Sequence, residues 1–338
     1  MLDLAADREL VPAGARLGRY ELLDNEPYQW DAWEIQRDAL LTAHGLRSSH
    51  VESVDSLEDG SAVVRVVARN DDVTIVTCIT LRPGAAALDF AAQVDWRTEE
   101  EFLKVDVPLA VQARNAQYEC QYGMVERPVQ KNSRGEEAMF ESCTHRFVRV
   151  ADASYAAAVV NASTYGSDVT PIHGEGAAAC GTMVRLSLLS APLYPDPRTD
   201  QGEHEFAWSV LADAGMPSVL DEAARLNSAT LDGIPAFEPL VRLRPDEGTA
   251  VLDWVKLADD GSGDVVLRVY EAAGGRAVAA LETCEELRGA TVRETNVLED
   301  GPLDAGLARA LGDDGAHPAD GAVLRLGPFQ MATLRVSR

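Results

Sequence analysis

Apolar and polar residues alternate with a period of two through most of this chain, the spacing of a strand buried on one face. In Leu88-Asp89-Phe90-Ala91-Ala92-Gln93-Val94-Asp95-Trp96, the apolar Leu88, Phe90, Ala92, Val94 and Trp96 share one face, while Asp89, Gln93 and Asp95 take the other. β-Branched runs over 62–68 and 73–81 end in Asn70-Asp71-Asp72 and Arg82-Pro83-Gly84, which predicts two more strands bounded by turns. Further strands are predicted over 102–111, 138–150, 155–161, 183–190 and 203–211. Strands this dense, without intervening helices, call for large packed antiparallel sheets.

The pattern shifts near residue 214. Residues 218–227 carry a cap-like Ser218, acids in the first turn and apolar positions at helical spacing, which predicts a short helix within a linker. A second β series follows over 240–243, 251–257, 265–270, 277–282, 290–297 and 323–336, with Asp-Gly pairs at 260, 300, 314 and 320. Six short strands in about a hundred residues suit a small sandwich. The expected organisation is all-β: a large domain over 1–213, a linker over 214–236 and a smaller domain over 237–338. The length of 338 residues fits two domains.

Charge narrows the possible partners. Against 55 Asp and Glu stand only 30 Lys and Arg, a net charge of −25. Such a field repels phosphate backbones and anionic lipid, so nucleic acid and membrane surfaces are excluded as partners. Neutral ligands such as sugars are not penalised. No run approaches 18 apolar residues and the first ten lack a signal-peptide core, so a cytoplasmic location is expected. The five cysteines, Cys78, Cys120, Cys143, Cys180 and Cys284, are odd in number, widely spaced and without a CxxC pair. They predict no disulfide framework and no cysteine zinc site, and are read as small core residues. The six histidines are scattered, and no HExxH, phosphate-loop or dinucleotide signature occurs. Asn161-Ala162-Ser163 has glycosylation form, read here as chance. The loop over 259–264 has a calcium-loop look. It lacks alternating oxygen ligands and a closing Glu, so a hairpin turn explains it better.

Two segments concentrate polar and aromatic groups. Over 25–35, Tyr28, Trp30 and Trp33 are interleaved with acids that include Asp31. Flat aromatic faces beside carboxylates are what a sugar site needs. The rival reading makes Trp30 and Trp33 core plugs with solvated acids between them. Over 194–206, Asp196, Asp200, Glu203 and Glu205 accompany His204 and two prolines. Paired carboxylates suit a glycosidase, and a histidine between two glutamates could act as general acid or base. The rival here is a turn with its charges in water.

Seven strings extend this reading: NEPYQWDAWEI, VERPVQKN, HRFVRVAD, VVNASTYGSDV, VRLSLLSAPLYPDPRTDQGEHEF, LRVYEAAGGRA and LRLGPFQMATLRV, in that order. Together they resemble the C-terminal β region of the glycoside hydrolase family 38 α-mannosidases of bacterial and cytosolic type, from about Ala5 to Val336. The resemblance implies a galactose-mutarotase-like β-supersandwich followed by a small β-sandwich. In that family an N-terminal barrel carries the aspartate nucleophile, the acid/base aspartate and a zinc ion held by His and Asp. No counterpart of the barrel or of the helical bundle after it occurs here. The resemblance therefore implies no catalytic residue, no cofactor in this chain, and zinc only in the absent domain. Residues 7–14 match a stretch that in relatives follows at least two strands, so the first strands are expected to be missing and a sheet edge left open.

The Asp31-Ala32-Trp33 turn resembles the loop whose aromatic residue approaches the sugar. That makes Trp33 the first carbohydrate-contact candidate, with Asp31 and Tyr28 beside it. The loop resembling one near the barrel mouth adds Asp196, Asp200, His204 and Glu205. Two departures stand out. Leu189-Ser190-Ala191-Pro192 lacks an arginine common in relatives, and a small-residue stretch runs from Pro171 to Cys180 where relatives turn tightly. The implied partners are an α-mannoside or oligosaccharide and a catalytic barrel, which a separate upstream chain could supply. The implied role is non-catalytic: docking to the barrel and forming part of the mannoside-binding wall. A free-standing carbohydrate-binding module is the alternative, and a mutarotase-type enzyme using His204 and a nearby Glu is a third.

Overall fold

The computed structural model describes residues 1–228, 238–303 and 307–338. They fall into two units, one of residues 1–120 with 125–228, the other of 121–124 with the chain after Ser228.

The first unit is built on two sheets. The nine-stranded sheet runs, edge to edge, Gly123–Pro128, Asn115–Cys120, Phe147–Ala151, Ala156–Asn161, Gly202–Leu211, Ala87–Trp96, Val73–Leu81, Ala62–Arg69 and Ser48–Ser56. The six-stranded sheet runs Ser142–Cys143, Gly166–Ile172, Gly181–Leu189, Glu101–Leu109, Arg19–Asp24 and His44–Gly45. Alternation decides what lies between them. Ile75, Phe90, Val94, Trp96 and Trp208 from the larger sheet meet Leu103, Val105, Val107, Val184 and Leu186 from the smaller in one core. Phe90 and Trp208 are register partners, and their rings stack 5.1 Å apart, with Tyr20 edge-on to the indole. The expectation of an all-β chain, a large sandwich followed by a small one, is met.

Several local expectations are corrected. The predicted helix is Met216–Asn227, and Gly215 is its cap. Ser218 does not cap it, since its hydroxyl donates to the Gly215 carbonyl at 2.9 Å. Nor is it a free linker helix: Val219, Leu220 and Ala223 are buried, and Arg225 reaches Asp89 on the larger sheet at 2.6 Å. Residues 229–236 of the expected linker lie outside the described residues. The strand predicted over 138–150 is two strands in different sheets, Ser142–Cys143 and Phe147–Ala151, preceded by a helical turn, Arg134–Ala138. The turn is fixed by Ser133, whose hydroxyl accepts from Glu136 N, while the Glu136 carboxylate accepts from Asn132 N. The stretch from Pro171 continues its strand to Ile172 and then forms a 3-10 turn, Ala177–Ala179.

The cysteines are mostly not core residues. Only Cys284 is buried, Cys143 is exposed, the other three are half-buried, and all five are free. Parity explains Cys78: the core face of its strand carries Val73, Ile75 and Thr77, so residue 78 falls on the other face. An exposed sheet edge is present at Ser48–Ser56, where Val51 and Val54 are solvent-exposed. A bulge between Val51 and Ser53 and an ion pair from Glu52 to Arg65 interrupt this edge, both of which oppose pairing with another chain.

The second unit pairs a three-stranded sheet, Val241–Glu247, Ala277–Thr283 and Val323–Leu326, with a five-stranded one. The latter runs Ala250–Leu257, Val265–Glu271, Met331–Ser337, Thr291–Thr295 and His317–Pro318. Leu267, Val269, Leu281, Val292, Leu324 and Leu334 fill the space between. The stretch 323–336, expected as one strand, is two strands in different sheets. The reversal between them is held by the buried Glu271 carboxylate, which accepts from Phe329 N and from the amides of Ala273, Gly274 and Gly275. The calcium-like loop is occupied by a guanidinium: Arg335 bonds Asp260 and Asp264 at 2.6 Å each, with Ser262 between them. Among the described residues no helix is long and apolar enough to cross a membrane.

Candidate functional site

Strands Arg19–Asp24 and Gly181–Leu189 both pair antiparallel with Glu101–Leu109, on its two sides. They therefore run in the same direction, and the loops that follow them leave the sheet at one end, where Glu101–Leu109 begins. This topology brings the two sequence-predicted segments together across more than 160 residues of chain.

Hydrogen bonds then lock them. Asn25 N donates to Glu100 O at 2.7 Å, and Glu100 N donates to Ala191 O at 3.0 Å. The Asn25 side-chain amide donates to Ser190 Oγ at 2.8 Å. Asp31 Oδ2 accepts from the amides of Leu193 and Tyr194, each at 3.2 Å. Asp200 Oδ2 accepts from Ser190 N at 3.3 Å and Ala191 N at 3.1 Å. Trp30, Glu100, Ala191 and Asp200 all have positive φ, between 40° and 65°. Such strain costs on the order of 1–3 kcal/mol per residue and persists where surrounding bonds over-determine it.

On this frame four aromatic rings face solvent: Tyr28, Trp30, Trp33 and Tyr194, each more than 60% exposed. Trp30 and Trp33 meet edge to face at 6.4 Å, in a turn closed by Trp33 N and Glu34 N donating to Trp30 O. The core-plug reading of these tryptophans is therefore wrong for this chain. The rim around them is acidic. Burial first, then the charges of Glu26, Asp31 and Glu99, push the Glu100 carboxyl above its usual range.

The remaining candidates divide. Asp196 is exposed and spends one oxygen on its own turn, accepting from Arg198 N at 3.0 Å. Asp200 is a loop tether. His204 Nε2 bonds the Asp200 carbonyl at 2.7 Å, and its ring stacks on Phe206 along the inward face of the strand. Glu203 and Glu205 fall on the opposite face, beside Asp95 and Gln93. Neither sequence neighbour, Glu203 nor Glu205, shares a face with His204, because neighbouring strand residues point to opposite sides.

Sequence reasoning missed Asn25, Glu100 and Ser190, and also a buried charged layer on the outer face of the six-stranded sheet. Lys104, fully buried, bonds Glu141, Asp168 and Ser187. Arg185 continues the layer to Asp168 and Glu21. The only available signal was a lysine and an aspartate, Lys104 and Asp106, alternating with core positions. Lys104 and Ser187, 2.9 Å apart, have the spacing of a base and nucleophile. The reading fails on partners: the same Lys104 Nζ also donates to Glu141 and Asp168, so its donors are committed to a buried ion-pair layer and not to Ser187 alone. Among the described residues no three His, Cys, Asp or Glu side chains gather as a metal site needs.

Comparison with known proteins agrees with this architecture. The family described as "Glycosyl hydrolases family 38 C-terminal domain" matches residues 1–198, and "Glycosyl hydrolases family 38 C-terminal beta sandwich domain" matches 249–334. The chain is 28% identical to mouse alpha-mannosidase 2C1 over 309 residues, covering 86% of this chain and 28% of that protein. It is 24% identical to a yeast (Saccharomyces cerevisiae) alpha-mannosidase, covering 94% of this chain and 31% of the relative. It thus spans about three tenths of the length of these relatives. An alpha-mannosidase structure from Enterococcus faecalis V583 superposes with a TM-score of 0.69 at 17% identity, over 99% of this chain and 40% of the other, which shows a shared fold.

Proposed function

Because this chain belongs to glycosyl hydrolase family 38, of which it is a C-terminal part, we propose that it serves an α-mannosidase without carrying the chemistry itself. Its larger unit, read as a mutarotase-like supersandwich, docks to a catalytic barrel and supplies part of the wall of the mannoside site. Trp33 is the aromatic residue nearest the sugar. The observation that carries this is the exposed, acid-rimmed aromatic turn, held rigid by Asp31 and Asp200 instead of being sunk in the core. Pre-positioned rings can pack on sugar C–H groups while neighbouring carboxylates accept from hydroxyls. Zinc and the reacting carboxylates belong, on this reading, to the barrel.

The test is Trp33→Ala in an enzyme reconstituted from barrel and β region. Losing one packing aromatic costs on the order of 1–3 kcal/mol, so aryl α-mannoside turnover should fall by about 5- to 150-fold. The melting temperature should barely move, because Trp33 is 68% exposed. Intact turnover, or a loss that tracks unfolding, removes the sugar-contact role. A free-standing binding module would present the same rings. It is favoured instead if the chain binds mannosides alone and adding the barrel changes nothing.

A further inference from the structure

A cavity of about 510 Å³ opens in the first unit beside the aromatic turn. Its lining includes Ile35, Phe102, Glu141, Tyr165, Ser190 and Asp200. Nothing in the reading above uses it, although Ser190 and Asp200 belong both to it and to the loop that holds Asp31.

The chemistry of the lining selects a ligand class. Positive charge is withheld: Lys104, beneath the cavity, is fully buried and its three donors are committed to Glu141, Asp168 and Ser187. An anion finds no cation there, and the chain's net charge of −25 repels it. A cation gains little from Glu141, whose Oε1 is paired with Lys104 and whose Oε2 accepts from Ser187 at 3.0 Å. Hydrogen-bonding capacity remains on Asp200 and Ser190. Asp200 spends only Oδ2 on the Ser190 and Ala191 amides, so Oδ1 has no protein partner among the described residues. Ser190 Oγ accepts from Asn25 and keeps its own O–H to donate. Tyr165 offers a half-exposed ring, and Ile35 and Phe102 supply apolar wall. A carboxylate acceptor, a hydroxyl donor and an aromatic face match a ring with hydroxyls on its edge and C–H groups on its face. The volume lies within the range of small-molecule sites, about 300–1,000 Å³.

We propose that this cavity is a second saccharide subsite, taking a further hexopyranose of the oligosaccharide whose terminal unit meets Trp33. The inference rests on the sugar-facing role proposed for that turn, and the two can fail separately. The shared Ser190–Asp200 loop lets one oligosaccharide span both places.

Cys143 provides the readout, because it lines the cavity and its thiol is exposed. The 338-residue chain is alkylated with iodoacetamide, with and without millimolar α-mannotriose, and each cysteine is followed by peptide mass mapping. Cys180, half-buried and outside the cavity lining, is the internal control. The expected result is a slowing of Cys143 alkylation by at least threefold with Cys180 unchanged, the protection being lost in Tyr165→Ala and still detectable in Trp33→Ala. Tryptophan fluorescence, recorded in parallel, reports on the exposed indoles. If mannotriose changes the fluorescence and leaves Cys143 unprotected, the cavity subsite is overturned and the Trp33 reading stands. Protection that survives Tyr165→Ala also overturns it, since the sugar then sits elsewhere. If neither probe responds, the subsite is overturned, and the role of Trp33 is judged by the reconstituted enzyme alone.

Discussion

Lys104 and Asp106 sit two residues apart on one strand, share its outer face, and meet opposite electrostatic fates. The lysine has a partner for each of its donors. Asp106 Oδ1 is buried and has none among the described residues. Burial first, and then the neighbouring Glu21 carboxylate, push the Asp106 carboxyl up to about 7, even though Arg185 and Arg19 oppose the shift. A carboxyl whose folded pKa is raised binds more protons folded than unfolded. It therefore lowers stability as pH rises from the ordinary value of 3.8 to about 7, with a limiting slope of about 1.4 kcal/mol per pH unit. Asp106→Asn removes that slope. Urea unfolding should show the variant gaining on the wild type between pH 4 and pH 7 and levelling off above, whereas a pH-independent difference would mean that Asp106 titrates as an ordinary surface acid. Truncating Lys104 should act in the other direction. Lys104→Met leaves Glu141 without its cation and Asp168 with Arg185 alone, and breaking a buried pair in this way costs about 3–5 kcal/mol, readable as a large drop in the denaturation midpoint. Neither role was legible in sequence, because alternation shows that 104 and 106 leave the core face, not that the opposite face is covered too.

At the scale of elements, the aromatic turn depends on the loop opposite it. Asp200 carries two of the hydrogen bonds that hold Ser190 and Ala191, the latter at a φ of 40° that a non-glycine residue adopts only under constraint. In Asp200→Ala both amides lose their acceptor. Their hydrogen exchange should quicken by about ten- to a hundredfold, from bonds of about 1.5–3 kcal/mol each. Amides of the helix Met216–Asn227 serve as the unchanged reference, and uniform exchange in both places would show that the loop is held by something else. Elements were legible where one face was wet and the other dry. Ala87–Trp96 and Val73–Leu81 were read closely for that reason. Arg19–Asp24 was missed because its four central residues are all buried, which erases the period of two. Ser48–Ser56 was missed for the converse reason, being exposed on both faces along nearly its whole length. The 138–150 error has a third origin: the chain changes sheets between Ser142–Cys143 and Phe147–Ala151, so one stretch of strand composition is two strands.

At the scale of the molecule, a net charge of −25 is a self-repulsion that screening relieves. Raising sodium chloride from 20 to 200 mM should raise the melting temperature, and a fall would place the buried ion pairs above the surface field in controlling stability. The strand density and the two turn-rich β series were sufficient for an all-β chain of two sandwiches, because composition and period-two alternation are local properties written residue by residue. The ordered strings fixed the family resemblance. The site was different. That Asp31 tethers residues 193 and 194, that Asp200 holds 190 and 191, and that Trp30 and Trp33 stand in solvent followed from strand order, with Arg19–Asp24 and Gly181–Leu189 placed on either side of Glu101–Leu109. Only the folded sheet decides which loops leave it at the same end and which faces another layer covers, because its pairings join residues far apart in the chain, Asp24 with Glu101 and Leu189 with Leu103, where no local spacing can reach.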